Sequence, residues 1–207
     1  MEKSQLSLPF HYLVTPELDN KSDVTGFMDQ LERSLVAGIR LVQLRGKTLS
    51  PALYKKLAIE VLACCQQYDV QLLLNADPEL LNEVDAQGVH LDGIRLATCQ
   101  RRPLDSNRLI SAACHTLEQL KKAEALGVDF VTLSPVLPTA SHPEAAPLGW
   151  QNFAILAAQT KLPVYALGGL TPQLLDYAQT NGAYGIAGIR SLWGGEMSLS
   201  GQIPPQG

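Results

Sequence analysis

The sequence predicts an α/β protein, a single (β/α)8 barrel of parallel strands. Three observations carry the prediction. Short apolar, β-branched runs alternate with amphipathic segments from residue 10 to residue 190, as in a parallel sheet covered by helices. Eight such repeats in 207 residues is about 26 residues per unit, a compact version of a fold usually near 250. The competing open, doubly wound sheet usually carries a glycine fingerprint after its first strand, whereas this first strand ends in Thr15-Pro16-Glu17.

The elements follow in order. Phe10 to Thr15 reads as the first strand, and Val24 to Ala37 as an amphipathic helix closed by Gly38. Ile39 to Leu44 is the second strand. Its helix starts after Ser50-Pro51, a serine cap with proline at the first helical position, and carries Leu53, Leu57, Val61 and Cys64 or Cys65 on one stripe. Val70 to Leu74 is the third strand, followed by a short helix from Pro78 to Val84. Val89 to Leu91 is a brief fourth. Leu109 to Cys114 is the fifth, and Thr116 caps a helix that runs through Ala125 and stops at Gly127. Phe130 to Ser134 is the sixth, with a helix from Trp150 to Gln159 beyond a Pro/Ala/Ser loop. Val164 to Leu167 and Gly185 to Ile189 are the last two, with a helix opened by Thr171-Pro172 between them. Residues 1–9 read as an N-terminal tail, 10–193 as the barrel and 194–207 as a flexible C-terminal tail.

Composition narrows the function. Sixteen Lys+Arg against 20 Asp+Glu give a net charge of −4, with 17% charged residues, a poor balance for binding nucleic acid. No apolar run approaches the roughly 18 to 20 residues that cross a bilayer, and Met1 to Pro9 has no signal-peptide core. Cys64, Cys65, Cys99 and Cys114 include no CxxC pair, so reduced thiols in a cytoplasmic protein are expected.

In a barrel the chemistry gathers where strands end and βα loops begin. Those positions hold Thr15; Gln43, Arg45 and Lys47; Asn75 and Asp77; His90 and Asp92; His115; Ser134, Thr139, Ser141 and His142; Gly168-Gly169; and Gly188 to Arg190. Alternation places Gln43, Arg45 and Lys47 on one side if the strand continues through them. Arg45 and Lys47 offer a fork and a point charge to an anion; the bland alternative is a solubilising surface pair. Gly168-Gly169 with Gly188 opens backbone N–H groups to a phosphate after strands seven and eight, although turns also use paired glycines. His115 is a proton-transfer group or a helix-cap neighbour. His90, flanked by apolar residues, reads as a satisfied core histidine.

Taken together, Tyr12-Leu13-Val14-Thr15, Val42-Gln43-Leu44-Arg45-Gly46-Lys47, Asn75, Gly88 to Leu91, Ser111 to Thr116, Pro138 to Ser141, Leu167 to Leu170 and Gly185 to Ile189 resemble the thiamin phosphate synthase and thiazole tautomerase family over about residues 10 to 193. In the synthase, a pyrimidine methyl pyrophosphate loses pyrophosphate and a thiazole phosphate nitrogen captures the cation. The resemblance implies that Gln43, Arg45, Lys47, Asn75, Thr139 and Ser141 hold the pyrophosphate, with Lys47 and His115 catalytic. Gly168, Gly169, Gly188, Ile189 and Arg190 would cradle the thiazole phosphate. It also implies magnesium, but the carboxylate positions of the family are Ala76 and Arg95 here, its lysine is His142 and its strand-eight serine is Arg190. Mg²⁺ takes oxygen ligands, so a metal would need a shifted site at Asp77 and Asp92. The tautomerase branch dispenses with those carboxylates and matches at His115. Gly185 to Trp193 also resembles synthase-like domains fused to Nudix hydrolases, which implies a phosphate-binding module with a Nudix hydrolase partner; a homo-oligomer is a further expectation.

Overall fold

The computed structural model describes residues 8–18, 23–139 and 144–195. Eight parallel strands close into a barrel in chain order: β1 His11–Val14, β2 Leu41–Leu44, β3 Gln71–Leu74, β4 Gly88–Leu91, β5 Leu109–Cys114, β6 Phe130–Leu133, β7 Val164–Leu167 and β8 Gly185–Gly188. Closure is made by β1 on β8, with Leu13 opposite Gly188. The helices are α1 Val24–Val36, α2 Pro51–Gln67, α3 Gly93–Thr98, α4 Leu117–Leu126, α5 Gly149–Ala157 and α6 Leu175–Thr180.

Alternation along each strand builds two kinds of core. Leu13, Val42, Leu44, Leu72 and Leu74 pack outward under α1 and α2, while Val89, Ile110, Val131, Ala166 and Ile186 do so under the later helices. The barrel interior is filled by Tyr12, Leu41, Leu73, Leu109, Phe130, Tyr165 and Ala187. Tyr12, Phe130 and Tyr165 form a ring cluster with centroids 5.3 to 5.6 Å apart, so this is a packed core and not a pore.

The expected caps are present. Ser50 Oγ accepts from Leu53 N, Thr116 Oγ1 accepts from Gln119 N, and Gly127 closes α4 with φ +68°. Three expectations are corrected. The α2 stripe is Tyr54, Leu57, Ala58, Val61, Leu62 and Cys65, and Leu53 is exposed. Pro78–Asn82 is a 3-10 turn, not an α-helix. The short helix α3 follows β4, where none was expected; six residues are too few to show a period. At the N-terminal boundary, Leu8 is buried at the foot of the barrel, its carbonyl and that of Pro9 accepting from the hydroxyls of Tyr184 and Tyr165. Gly194 N donates to Ser34 Oγ at 2.9 Å on α1, and residues 196–207 lie outside the described residues. All four cysteines are free, and no described helix is long and apolar enough to cross a membrane.

Candidate functional site

The C-terminal mouth of the barrel carries two distinct constellations. The first sits over β2, β3 and β4. β2 ends at Leu44, so Gln43 lies inside the barrel while Arg45 and Lys47 belong to the loop beyond. The alternation expected through Lys47 is therefore not kept. Arg45 is fixed through its backbone, its N–H donating to Thr15 Oγ1 at 2.9 Å, and its guanidinium pairs with Glu17 at 3.1 Å. Lys47 reaches across to Asp92 at 3.6 Å.

Below these cations runs a chain of buried polar groups. Arg95 Nη1 donates to Asn75 Oδ1 at 3.0 Å, and Asn75 Nδ2 donates to Gln43 Oε1 at 3.1 Å. Gln43 Nε2 donates to Tyr12 Oη at 2.9 Å. Tyr12 Oη lies 3.2 Å from Ser111 Oγ, which lies 2.7 Å from His90 Nδ1. A guanidinium can only donate, so the direction is set from the Arg95 end as far as Tyr12 Oη. Tyr12 Oη, accepting from Gln43, has its own proton free for Ser111 Oγ, and Ser111 Oγ meets His90 Nδ1 as donor or acceptor according to the imidazole tautomer. Burial holds the His90 pKa down to about 3, only partly opposed by Asp92, so this histidine is a neutral, satisfied core residue. Burial likewise raises the Tyr12 pKa well above its ordinary value.

The arrangement does not suit magnesium. Ala76 offers no ligand, and Arg95 places a cation against Asn75 and, at 3.1 Å, against Asp92. The two aspartates expected to form a shifted site are otherwise engaged. Asp77 Oδ1 caps the 3-10 turn by accepting from Glu79 N, and Asp92 Oδ1 caps α3 by accepting from Arg95 N. Burial alone would raise the Asp92 pKa, but the Arg95 amide and the charges of Arg95 and Lys47 outweigh it and hold it below the ordinary value. No group of three or more His, Cys, Asp or Glu that could hold a metal exists among the described residues.

The second constellation is a cavity of about 390 Å³ over β5 to β8, lined by His115, Ser134, Thr139, Gly168, Gly169, Gly188, Ile189 and Arg190 among others. Gly168 and Gly169 have φ +106° and +68°. A Cβ on Gly169 would stand 2.6 Å from the Pro138 carbonyl oxygen, and one on Gly168 2.8 Å from Pro135 Cβ. Only glycine lets the β6 and β7 loops approach so closely. The 3-10 turn Arg190–Leu192 opens beside the pair, so backbone N–H groups and the Arg190 cation share one cavity, a setting that suits a phosphate. His115 Nδ1 lies 2.7 Å from the Ser134 carbonyl oxygen. A carbonyl only accepts, so Nδ1 carries the proton, and Nε2 keeps a lone pair with no partner among the described residues.

The structure thus brings Gln43, Arg45, Lys47 and Asn75 together, and His115 with Gly168, Gly169, Gly188, Ile189 and Arg190. Thr139, expected with the first group, lines the second cavity instead, because its loop is bonded along β7 by Val136 N to Leu167 O and Leu137 N to Gly168 O. Ser141 and His142 lie outside the described residues. Sequence reading passed over Tyr12 and Ser111, whose roles depend on neighbours 31 and 21 positions away.

Comparison with known proteins gives the family of the chain and the likeness of its fold. Residues 11–192 match the family model described as thiamine monophosphate synthase. The chain is similar to a protein named putative thiamine-phosphate synthase 2 of Aquifex aeolicus, with 40% identity over 184 residues, 89% of this chain and 97% of that one. A thiamine-phosphate synthase of Prochlorococcus marinus is 36% identical over 160 residues, but these make up 77% of this chain and 45% of that longer protein. Among solved structures, thiamine phosphate pyrophosphorylase from Pyrococcus furiosus superposes with a TM-score of 0.68 at 23% identity, covering 86% of this chain and 84% of that one. At that identity the likeness speaks for the fold.

Proposed function

Because this chain belongs to the thiamine monophosphate synthase family, we propose that it joins a pyrimidine methyl diphosphate to a thiazole phosphate in thiamine biosynthesis. One observation carries the reading: two anion-binding constellations, one cationic and one glycine-rich, share a single barrel mouth. A reaction between one diphosphate and one monophosphate needs two such places.

In this reading Gln43, Arg45, Lys47 and Asn75 hold the diphosphate. The bond between the pyrimidine methylene carbon and the diphosphate oxygen breaks, and the oxygen leaves with the electron pair. The thiazole nitrogen then gives its lone pair to the methylene carbon, and its ring becomes cationic. Lys47 steadies the leaving charge. Gly168, Gly169, Gly188, Ile189, Arg190 and Thr139 anchor the thiazole phosphate, so that its nitrogen approaches one face of the pyrimidine. Four free thiols fit a reducing, cytoplasmic setting.

A second reading is favoured by one specific contact. His115 Nδ1 is pinned to the Ser134 carbonyl, which leaves Nε2 as a proton acceptor at the cavity. That geometry suits proton transfer on a thiazole carboxylate phosphate, which needs a positioned acid/base.

The deciding experiment incubates the purified full chain with the pyrimidine diphosphate and thiazole phosphate, with Mg²⁺ and with EDTA. Formation of thiamine phosphate sustains the synthase reading. Folded protein that yields none in either condition overturns it, and conversion of the carboxylated thiazole phosphate would then establish the tautomerase.

A further inference from the structure

We infer that Arg95 stands in for the divalent cation at the diphosphate subsite, so that this protein binds a diphosphate group without metal. The inference rests on the reading of that subsite given above and adds the identity of its charge source.

Arg95 Nη1 lies 3.0 Å from Asn75 Oδ1 and 3.1 Å from Asp92 Oδ2. It therefore rests between an amide oxygen and a carboxylate oxygen at the end of β3 and β4, oxygens of the kind that a hard cation takes. A guanidinium there makes a bound metal redundant and electrostatically unwelcome, since the two positive charges would share the same oxygens. The side chain is also offered outward. It is one-third exposed, and its Nε and Nη2 have no hydrogen-bond partner among the described residues. Those N–H groups form the fork that grips two phosphate oxygens at once.

The local charge balance points the same way. Arg45, Lys47 and Arg95 are paired with Glu17 and Asp92, three cations against two carboxylates, an excess of +1. Asp92 is shared between Lys47 and Arg95, and it keeps both aimed at one place until an anion arrives. The same Arg95 contact sets the orientation of the Asn75 and Gln43 amides. A single residue thus supplies charge and orders the neutral donors beneath it.

The test is calorimetric titration of the full chain with inorganic pyrophosphate, in EDTA and in Mg²⁺, with thiazole phosphate titrated in parallel. The expected result is binding in EDTA with an affinity at least equal to that in Mg²⁺, weakened about tenfold to a hundredfold in Arg95→Gln. Arg95→Lys, which keeps the charge and loses the fork, should fall between the two, and it serves as the test variant if Arg95→Gln does not fold. The paired change Ala76→Asp with Arg95→Asp should make binding dependent on Mg²⁺. Pyrophosphate binding that requires Mg²⁺ in the unaltered protein, or binding in EDTA untouched by both single substitutions, would overturn the inference. If thiazole phosphate binds while pyrophosphate fails in EDTA, only the role of Arg95 falls. If neither ligand binds in any buffer, the functional reading falls with it.

Discussion

Arg95 Nη1 donates to Asn75 Oδ1 at 3.0 Å, and this contact fixes which way two buried amides face. With its oxygen committed to Arg95, Asn75 can only donate to Gln43, and Gln43 can only donate to Tyr12. A surface-facing cation thereby reaches, through a relay of side chains across the barrel, a buried neutral histidine on β4.

Tyr12→Phe removes the middle of that relay. Gln43 Nε2 loses its acceptor and Ser111 Oγ loses a partner inside the barrel, where an unmet polar group costs about 1–3 kcal/mol. The ring itself keeps its packing against Phe130 and Tyr165. Urea unfolding should show a loss in that range. Pyrophosphate affinity should fall with it, because Gln43 is released to rotate, while thiazole phosphate affinity should hold.

The barrel was legible in the sequence because each strand is a short apolar run and each long helix has a cap or a stripe; Ser50, Thr116 and Gly127 mark their ends as expected. The site was legible wherever the barrel rule applies, at residues immediately following a strand. It was not legible where function depends on a partner far along the chain. Thr139 joins the glycine cavity because a loop from β6 is laid along β7, and Tyr12 and Ser111 look like ordinary strand residues until the barrel closes. Arg95 could be seen as a departure from the family pattern, but its contact with Asn75 required the unforeseen helix α3.

The glycine cradle gives a second prediction. In Gly169→Ala a Cβ would enter at φ +68° and meet the Pro138 carbonyl at 2.6 Å. The β6 and β7 loops must separate, so thiazole phosphate affinity should drop by about tenfold or more, roughly the loss of one charge-assisted hydrogen bond. Gly127→Ala supplies the control. Its φ is also +68°, yet nothing lies within 4 Å of the added carbon, so it should cost about 1 kcal/mol of stability and leave ligand binding unchanged.

His115 separates the two chemistries. Joining the heterocycles relies on positioning and on the leaving charge, whereas tautomerisation needs the Nε2 lone pair. His115→Asn removes that base at an exposed position, so stability should move by no more than about 0.5 kcal/mol. Any proton transfer on thiazole carboxylate phosphate should slow by about a hundredfold or more, and thiamine phosphate formation by far less. Equal losses in the two assays would mean that His115 serves both reactions as a positioning group through Ser134.

Acid should destabilise the protein through its buried histidines before it reaches the carboxylates. Burial lowers the pKa of His90 from 6.5 to about 3 and that of His11 from 6.5 to about 4. The unfolded chain therefore binds protons that the folded chain refuses, and stability rises with pH across this window. The contribution is fully present above about 6.5, begins to fall below it, and goes on falling until His11 and then His90 take up protons in the folded state. At pH 5 the unfolded chain gains about 2 kcal/mol from each such histidine. Asp92, with its pKa below the ordinary value, adds a loss in the same direction at still lower pH. The measurement is the urea midpoint at pH 7.5 and pH 5 for the unaltered chain and for His90→Gln. Glutamine can accept from Ser111 without titrating, so the variant should start less stable at pH 7.5 and lose less between the two values. An equal drop in both proteins would show that His90 is not held neutral.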